Sequence, residues 1–166
     1  MPYNAIAGRS VERLTTLSDG VFAIAMTLLV LDVKVPSADV IHSNGQLLAM
    51  LADRAPNMLA YVMSFLTLGI FWMAQGTQLS QCEQSDKVMT WIHILYLMFV
   101  AIMPFSTGLL AEFMEYRAAV ICYWANLLLL GAALFASIRH AKAAQLLKAD
   151  ALLAESNMHE RRILTF

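Results

Sequence analysis

The chain has 166 residues, of which 60% are hydrophobic and 14% are charged, and its formal net charge is −1. Soluble domains carry about 25% charged residues, and the mean hydropathy of this chain is +0.63. These values exclude a disordered chain, a disulfide-held secreted module and a nucleic-acid binder with a basic face. Its two cysteines, Cys82 and Cys122, match no metal or redox spacing. The composition indicates an integral membrane protein.

Four apolar blocks are long enough to cross a hydrocarbon core about 30 Å thick, which takes about 20 helical residues. They cover residues 17–35, 57–76, 88–111 and 118–138. Each block is too long for a strand, and backbone in lipid must be helical or in a closed barrel. We therefore predict an all-α membrane protein with four transmembrane helices within residues 1–138.

The tail, residues 139–166, is rich in Ala, Leu, Lys and Glu, which favour helix. We predict a cytoplasmic or membrane-surface helix there. The final RRILTF resembles the basic flank of a further span, so the chain is either complete with four spans or lacks later ones.

Loop charges predict the orientation of the spans. With an even number of spans, one side of the membrane carries eight Lys and Arg residues and the other side carries three. Because cytoplasmic loops hold the excess of positive charge, we predict a multi-pass protein of the cell membrane with both termini cytoplasmic.

The first span has two different faces when drawn as a helix with about 100° per residue. One face, called the stripe below, is apolar except for one hydroxyl and consists of Ile24, Thr27, Leu28 and Leu31. The opposite side begins with Ser18, Asp19 and Phe22.

Each face has an ordinary and a functional interpretation. An ionisable residue within a span, such as Asp19, is a functional hypothesis, but Ser18 or Asp19 also suits a helix cap. In a single helix, the stripe is more typical of ordinary helix packing or lipid contact. In several copies around an axis its apolar residues would form rings that close a pore by dewetting. Thr27 would then offer hydroxyl oxygens to an ion, and Asp32 would either concentrate cations at the pore mouth or simply be solvated.

No catalytic set is present. The sequence contains no HExxH, GxSxG or GxxxxGK motif, and His93 has no partner at ligand spacing, so we predict no enzyme, no resident metal and no cofactor. It also contains no TVGYG, the filter of the usual potassium channels.

Arg13 followed by LSDGVFAIAMTLLVLD resembles the Arg-x-x-x-Phe-Ser-Asp signature helix of the transmembrane protein 175 family, the potassium channels of endolysosomes and prokaryotes. AYVMSFLTLGIFWMAQ resembles the second span of that family, and LYLMFVAIMPFSTGLLAEF resembles its third. The similarity covers residues 9–138, and the single short repeat resembles a prokaryotic member.

The resemblance implies a homotetramer of six-span subunits in the lipid bilayer, with the first helix lining a central pore for potassium. It places Ile24 at the gate, Leu28 and Leu31 at further apolar rings, and Thr27 at the position associated with potassium selectivity. It also implies a structural network behind the pore helix, made of Arg13, Ser18, Asp19, Phe22, Trp72, Gln75 and His93.

The chain departs from the family pattern at three points. Leu17 replaces the usual Phe of the signature, Gln75 and His93 stand where His and Asn are expected, and no fifth or sixth span follows. A potassium-permeable channel is the leading hypothesis. The alternatives are a proton-coupled secondary transporter that uses Asp19 and a non-conducting membrane scaffold.

Overall fold

The computed structural model describes residues 11–33 and 41–149, which are almost entirely helical. Helix α1 covers Val11–Leu29 and continues as a short 3-10 turn over Val30–Asp32. The other helices are α2 (Asn44–Asp53), α3 (Ala55–Ser80), α4 (Lys87–Glu112) and α5 (Arg117–Ala143).

Side-chain oxygens cap the N-termini of two of these helices. Ser43 caps α2 by accepting a hydrogen bond from the Gln46 N–H, and Asp86 caps α4 by accepting one from the Met89 N–H. Such caps satisfy backbone donors that have no partner within the helix. Helix α3 has Pro56 in its first turn, where the missing N–H of proline costs no hydrogen bond.

Helix α4 lies at the centre of the bundle and packs against α1, α3 and α5. The largest apolar cluster joins four helices. Its fully buried members include Phe22 and Leu29 of α1, Leu68 of α3, Val100 of α4 and Leu130 of α5. This arrangement sets the α1 face that carries Phe22 against the bundle.

Three of the four predicted spans correspond to helices long and apolar enough to cross a membrane: α3, α4 and α5. They contain 26, 26 and 27 residues, and 26 helical residues extend about 39 Å. Helix α1 differs because Glu12, Arg13 and Asp19 lie within its 19 residues. The chain is thus a multi-pass membrane protein, and the first of the four spans stays a prediction, of which residues 34 and 35 lie outside the described residues.

Hydroxyl groups in α1 are satisfied within the helix. Thr15, Thr16 and Ser18 each donate to the carbonyl four residues earlier, over 2.8–3.1 Å. In lipid an unsatisfied polar group costs several kcal/mol, so these internal bonds make the polar start of α1 compatible with a membrane.

Of the tail predicted as a helix over 139–166, the structure describes residues 139–149. Residues 139–143 form the end of α5, and the chain then turns, because Gln145 adopts a left-handed conformation with φ of 53°. Leu147 pairs with Cys82 in an isolated antiparallel bridge. No separate helix therefore begins at residue 139, and residues 150–166 lie outside the described part of the chain.

Candidate pore helix and its polar network

The stripe faces away from the bundle. Ile24, Leu28 and Leu31 are 61%, 42% and 70% exposed, and Thr27 is exposed beside them. The other face of α1 is buried and carries Leu14, Ser18, Phe22, Ala25 and Leu29. The structure therefore separates the two faces as the helical period of the sequence predicts.

The Thr27 hydroxyl is oriented by its own helix. Its Oγ1 donates to the carbonyl oxygen of Ile24 over 2.8 Å. Because a hydroxyl has one proton and two lone pairs, this bond uses the proton and leaves the lone pairs of an exposed oxygen available to a cation.

Two hydrogen bonds tie the start of α1 to α3. Gln75 Nε2 donates to Ser18 Oγ over 2.6 Å, and both residues are buried. Trp72 Nε1 donates to Asp19 Oδ1 over 2.7 Å, at a more exposed point. Because Trp72 and Gln75 are three residues apart, they lie on one face of α3, and together they fix the rotation of α1 about its axis.

Phe22 extends this contact to α4. Its ring centroid lies 6.0 Å from that of Tyr96, whose ring lies 6.5 Å from that of His93. Tyr96 also donates its hydroxyl to the carbonyl of Phe71 over 3.1 Å. Tyr96 is not among the site residues predicted from the sequence, although its position three residues after His93 places both on one helix face.

His93 lies in a second polar group rather than with Gln75. Its Nδ1 is 3.0 Å from the Met89 carbonyl and 3.5 Å from Ser137 Oγ. Gln78 Nε2 donates to the same Ser137 oxygen over 2.8 Å. The structure thus divides the single network implied by the resemblance into two groups.

The second group contains two residues, Gln78 and Ser137, that are not among the predicted site residues. Gln78 lies one turn after Gln75 on α3, and Ser137 lies in an otherwise apolar stretch of α5. Among the described residues, Gln78 Oε1 and His93 Nε2 are buried without a hydrogen-bond partner. Leaving such an atom unpaired costs about 1–3 kcal/mol, so this group stabilises the bundle less than the bonds between α1 and α3.

The remaining predicted site residues lie at the two ends of α1. Arg13 is exposed in the first turns and borders a shallow surface depression with Glu12, Thr16 and Leu17. Asp32 ends the 3-10 turn at the other end, about 28 Å away along the helix. No group of three His, Cys, Asp or Glu side chains within residues 11–33 and 41–149 is placed to hold a metal.

The sequence model of a family described as the endosomal/lysosomal potassium channel TMEM175 matches residues 13–104. The chain belongs to this family. TMEM175 proteins are channels and not enzymes, in agreement with the missing catalytic motifs.

Curated relatives come from bacteria and animals. A potassium channel of Streptomyces collinus is 43% identical over 103 residues, which cover 62% of this chain and 48% of the relative. A potassium channel of Chamaesiphon minutus is 34% identical over 157 residues, covering 92% and 74%. The endosomal/lysosomal proton channel TMEM175 of Gallus gallus is 36% identical over 111 residues, covering 64% and 22%. The chain thus spans about half of the Streptomyces protein and a smaller part of the animal one.

A crystal structure has a similar fold. It is described as a lysosomal potassium-selective channel TMEM175 homolog from Chamaesiphon minutus, and it superposes with a TM-score of 0.71 at 29% identity. The match covers 89% of this chain and 79% of that one. The helical arrangement described above is therefore that of the TMEM175 family.

Proposed function

We propose that this protein is a potassium-permeable ion channel in which several copies of the chain surround a pore lined by the stripe of α1. The observation that carries the proposal is the two-sided character of α1 in a TMEM175 family member. Its polar face is bonded into the bundle, while its apolar face is exposed with one hydroxyl. Two bacterial relatives named potassium channels support potassium as the permeant ion.

The barrier to ions is a set of apolar rings. Around a symmetry axis, each copy contributes Ile24, Leu28 and Leu31, and narrow hydrophobic rings close a pore by expelling water. Ile24 forms the gate, and the two leucines form further rings. Ions pass when the rings widen enough to stay wet.

Selectivity and ion supply depend on the polar residues of the same helix. The free lone pairs of Thr27 replace part of the water shell of a potassium ion. Asp32, at the far end of α1, raises the local concentration of cations at the pore mouth.

The network behind the stripe positions the pore helix. Ser18 and Asp19 are bonded to Gln75 and Trp72 on α3, so α1 cannot rotate without breaking two hydrogen bonds. In this role Asp19 is a structural partner of Trp72 rather than a proton carrier.

The protein acts as a homotetramer in the cell membrane, with α1 as its first span and both termini in the cytoplasm. It uses no cofactor. Proton conduction is the second candidate function, because relatives in several vertebrates are named proton channels.

Flux into liposomes that contain the 166-residue chain tests the proposal. Potassium uptake that exceeds sodium uptake supports a potassium channel, with valinomycin as the control for intact vesicles. Acidification without potassium uptake would favour the proton channel, and folded protein with no flux of either ion would contradict both.

The Ile24→Asn variant tests the gate in the same assay. A polar amide wets the constriction, so basal potassium flux should rise several-fold. Ile121→Asn on α5 is the matched control, because Ile121 is 65% exposed and lies off the stripe. Equal flux in the two variants would remove Ile24 from the gate.

A further inference from the structure

Five residues after α5 fold back onto the connection between α3 and α4. We call residues 144–148 the strap. The Glu83 N–H donates to the Leu146 carbonyl, and the Lys148 N–H donates to the Gln81 carbonyl, each over 2.9 Å. Cys82 and Leu147 therefore face each other as an antiparallel pair between these two bonds.

Two side chains of the strap hold it in place. Lys148 Nζ donates to the Ser80 carbonyl over 2.7 Å, at the end of α3, where carbonyls lack helical partners and the helix dipole favours a cation. Leu146, in the middle of the strap, is buried. It shares one apolar cluster with Leu14, Leu79, Cys82, Met89 and Ala141.

This cluster connects the strap to the helix that carries the stripe. Leu14 belongs to the first turns of α1, and its carbonyl accepts the hydroxyl of Ser18. Withdrawal of Leu146 therefore loosens the cluster into which this part of α1 is packed. The strap and the start of α1 thus pack into the same apolar cluster, although they are far apart in sequence.

The docked strap is held less firmly than the helices around it. Two backbone hydrogen bonds join it to the connection between α3 and α4, and Gln145 adopts a left-handed conformation that is unfavourable for a residue with a Cβ. Segments with few buried contacts open at lower free energy than the core. The strap is thus an element that can release while the bundle stays folded.

We propose that the strap is a regulatory clasp that restrains the N-terminal end of α1, and that its release raises basal ion flux. The flux part of this proposal rests on the proposed channel function. The restraint of α1 rests only on the contacts of the strap, and it can be measured without ion flux.

Two substitutions of the exposed Gln145 test the clasp: one should release the strap from its docked position, and the other should leave it docked. Gln145→Pro fixes φ near −65° and cannot adopt the observed turn, whereas Gln145→Gly accepts it without strain. We expect several-fold higher basal flux from the proline variant and wild-type flux from the glycine variant. Unchanged or lower flux from Gln145→Pro in a conducting channel would overturn the proposal.

A disulfide reports whether the strap is docked. Because Cys82 and Leu147 form the pair between the two backbone bonds, their Cα atoms lie about 4.5 Å apart, which suits a disulfide. Leu147→Cys, in a background with Cys122→Ser, should therefore cross-link to Cys82. Burial raises the pKa of the Cys82 thiol, with Lys148 opposing the effect, so oxidation is run at alkaline pH.

Cross-linking should be fast with Gln145→Gly and several-fold slower with Gln145→Pro, and equal rates would show that the strap does not dock as described. In the protein that keeps Gln145, the disulfide should leave basal flux low. Reduction of the disulfide should not change that flux, because the strap then stays docked.

A second readout requires no ion flux. In a background with both native cysteines changed to serine, a Leu14→Cys variant should react with a maleimide faster when Gln145→Pro is added, and not when Gln145→Gly is added. Equal labelling would overturn the clasp even in a conducting channel. Faster labelling with no flux from any variant would support the clasp and contradict the channel.

Discussion

Thr27 is the stripe residue whose side chain forms hydrogen bonds, and its role is testable by removal of its hydroxyl group. Thr27→Ala deletes the oxygen while leaving the helix intact, so we expect the preference for potassium over sodium to fall. Paired flux measurements with the two ions give this ratio. Thr67→Ala is the control, since Thr67 is a half-buried threonine on α3 that also donates to a carbonyl of its own helix. Retained selectivity in Thr27→Ala would exclude Thr27 from the selectivity site.

Asp86 links the start of α4 to the end of α5. It accepts the Met89 N–H over 2.7 Å, and its other oxygen lies 2.8 Å from His140 Nε2. Burial opposes ionisation of Asp86, but the bonds from Met89 and His140 outweigh it and hold the pKa of this carboxyl below its ordinary value. The charged form is therefore favoured by folding.

This depressed pKa predicts a loss of stability in acid. The contribution of Asp86 is complete above the ordinary carboxyl pKa of about 3.9 and disappears as the pH falls through the lower pKa of the folded state. Since the side chain is 37% exposed, solvent limits the contribution to less than about 1 kcal/mol.

Asp86→Asn keeps a capping side chain without the charge, so the difference in Tm between pH 7 and pH 3 should become smaller. Asp53→Asn, at the end of α2, is the control and should leave that difference unchanged. Thermal unfolding in detergent gives both values. An Asp86→Asn variant with the full pH dependence of the wild type would contradict the assignment.

Among elements, two glutamines of α3 join this helix to different neighbours, Gln75 to α1 and Gln78 to α5. Gln75 bonds Ser18 of α1, whereas Gln78 bonds Ser137 and also has a buried unpartnered oxygen. Gln75→Leu loses a buried hydrogen bond worth about 1 kcal/mol. Gln78→Leu loses a bond of the same kind but also removes the unpartnered oxygen.

The Tm of Gln75→Leu in detergent should therefore lie below that of Gln78→Leu, although the two sites are one turn apart on one helix. The reverse order would show that the second polar group, rather than the contact between α1 and α3, stabilises the bundle.

Hydropathy predicted the apolar part of each long helix closely, but the helices extend beyond it. The blocks at 57–76, 88–111 and 118–138 lie inside α3, α4 and α5, which begin up to two residues earlier and end one to five residues later. Most of the additional residues are polar, such as Gln78, Lys87 and Arg139, because a helix ends where its backbone groups find other partners rather than where apolarity ends. The largest extension, at the end of α5, places His140 within hydrogen-bonding distance of Asp86.

At the scale of the whole molecule, the proposed pore requires several copies of the chain. Four chains of 18.4 kDa give a protein mass of about 74 kDa. Native mass spectrometry of detergent-solubilised protein should give this mass, and a monomer as the largest species would contradict the pore.

Cysteine cross-linking locates the contact between copies. Leu31→Cys, in a background without native cysteines, should form disulfide-linked dimers, because its 70% exposed side chain lies on the stripe. Phe135→Cys on α5 is the control, with a side chain 64% exposed and off the stripe. Equal dimer yields from the two variants would show that the stripe does not lie at the interface between copies.

Local sequence determined the class of this protein and the division of α1 into two faces. Long apolar blocks must be helical in lipid, and the period of 3.6 residues alone puts Ile24, Leu28 and Leu31 opposite Ser18. The tertiary structure decided which face is buried, that Ser18 meets Gln75, that His93 meets Ser137, and that Leu147 meets Cys82. Each of these pairs joins residues more than 40 positions apart, and a repeat within one helix carries no information about its partner helix. Contacts of this kind depend on how whole helices pack.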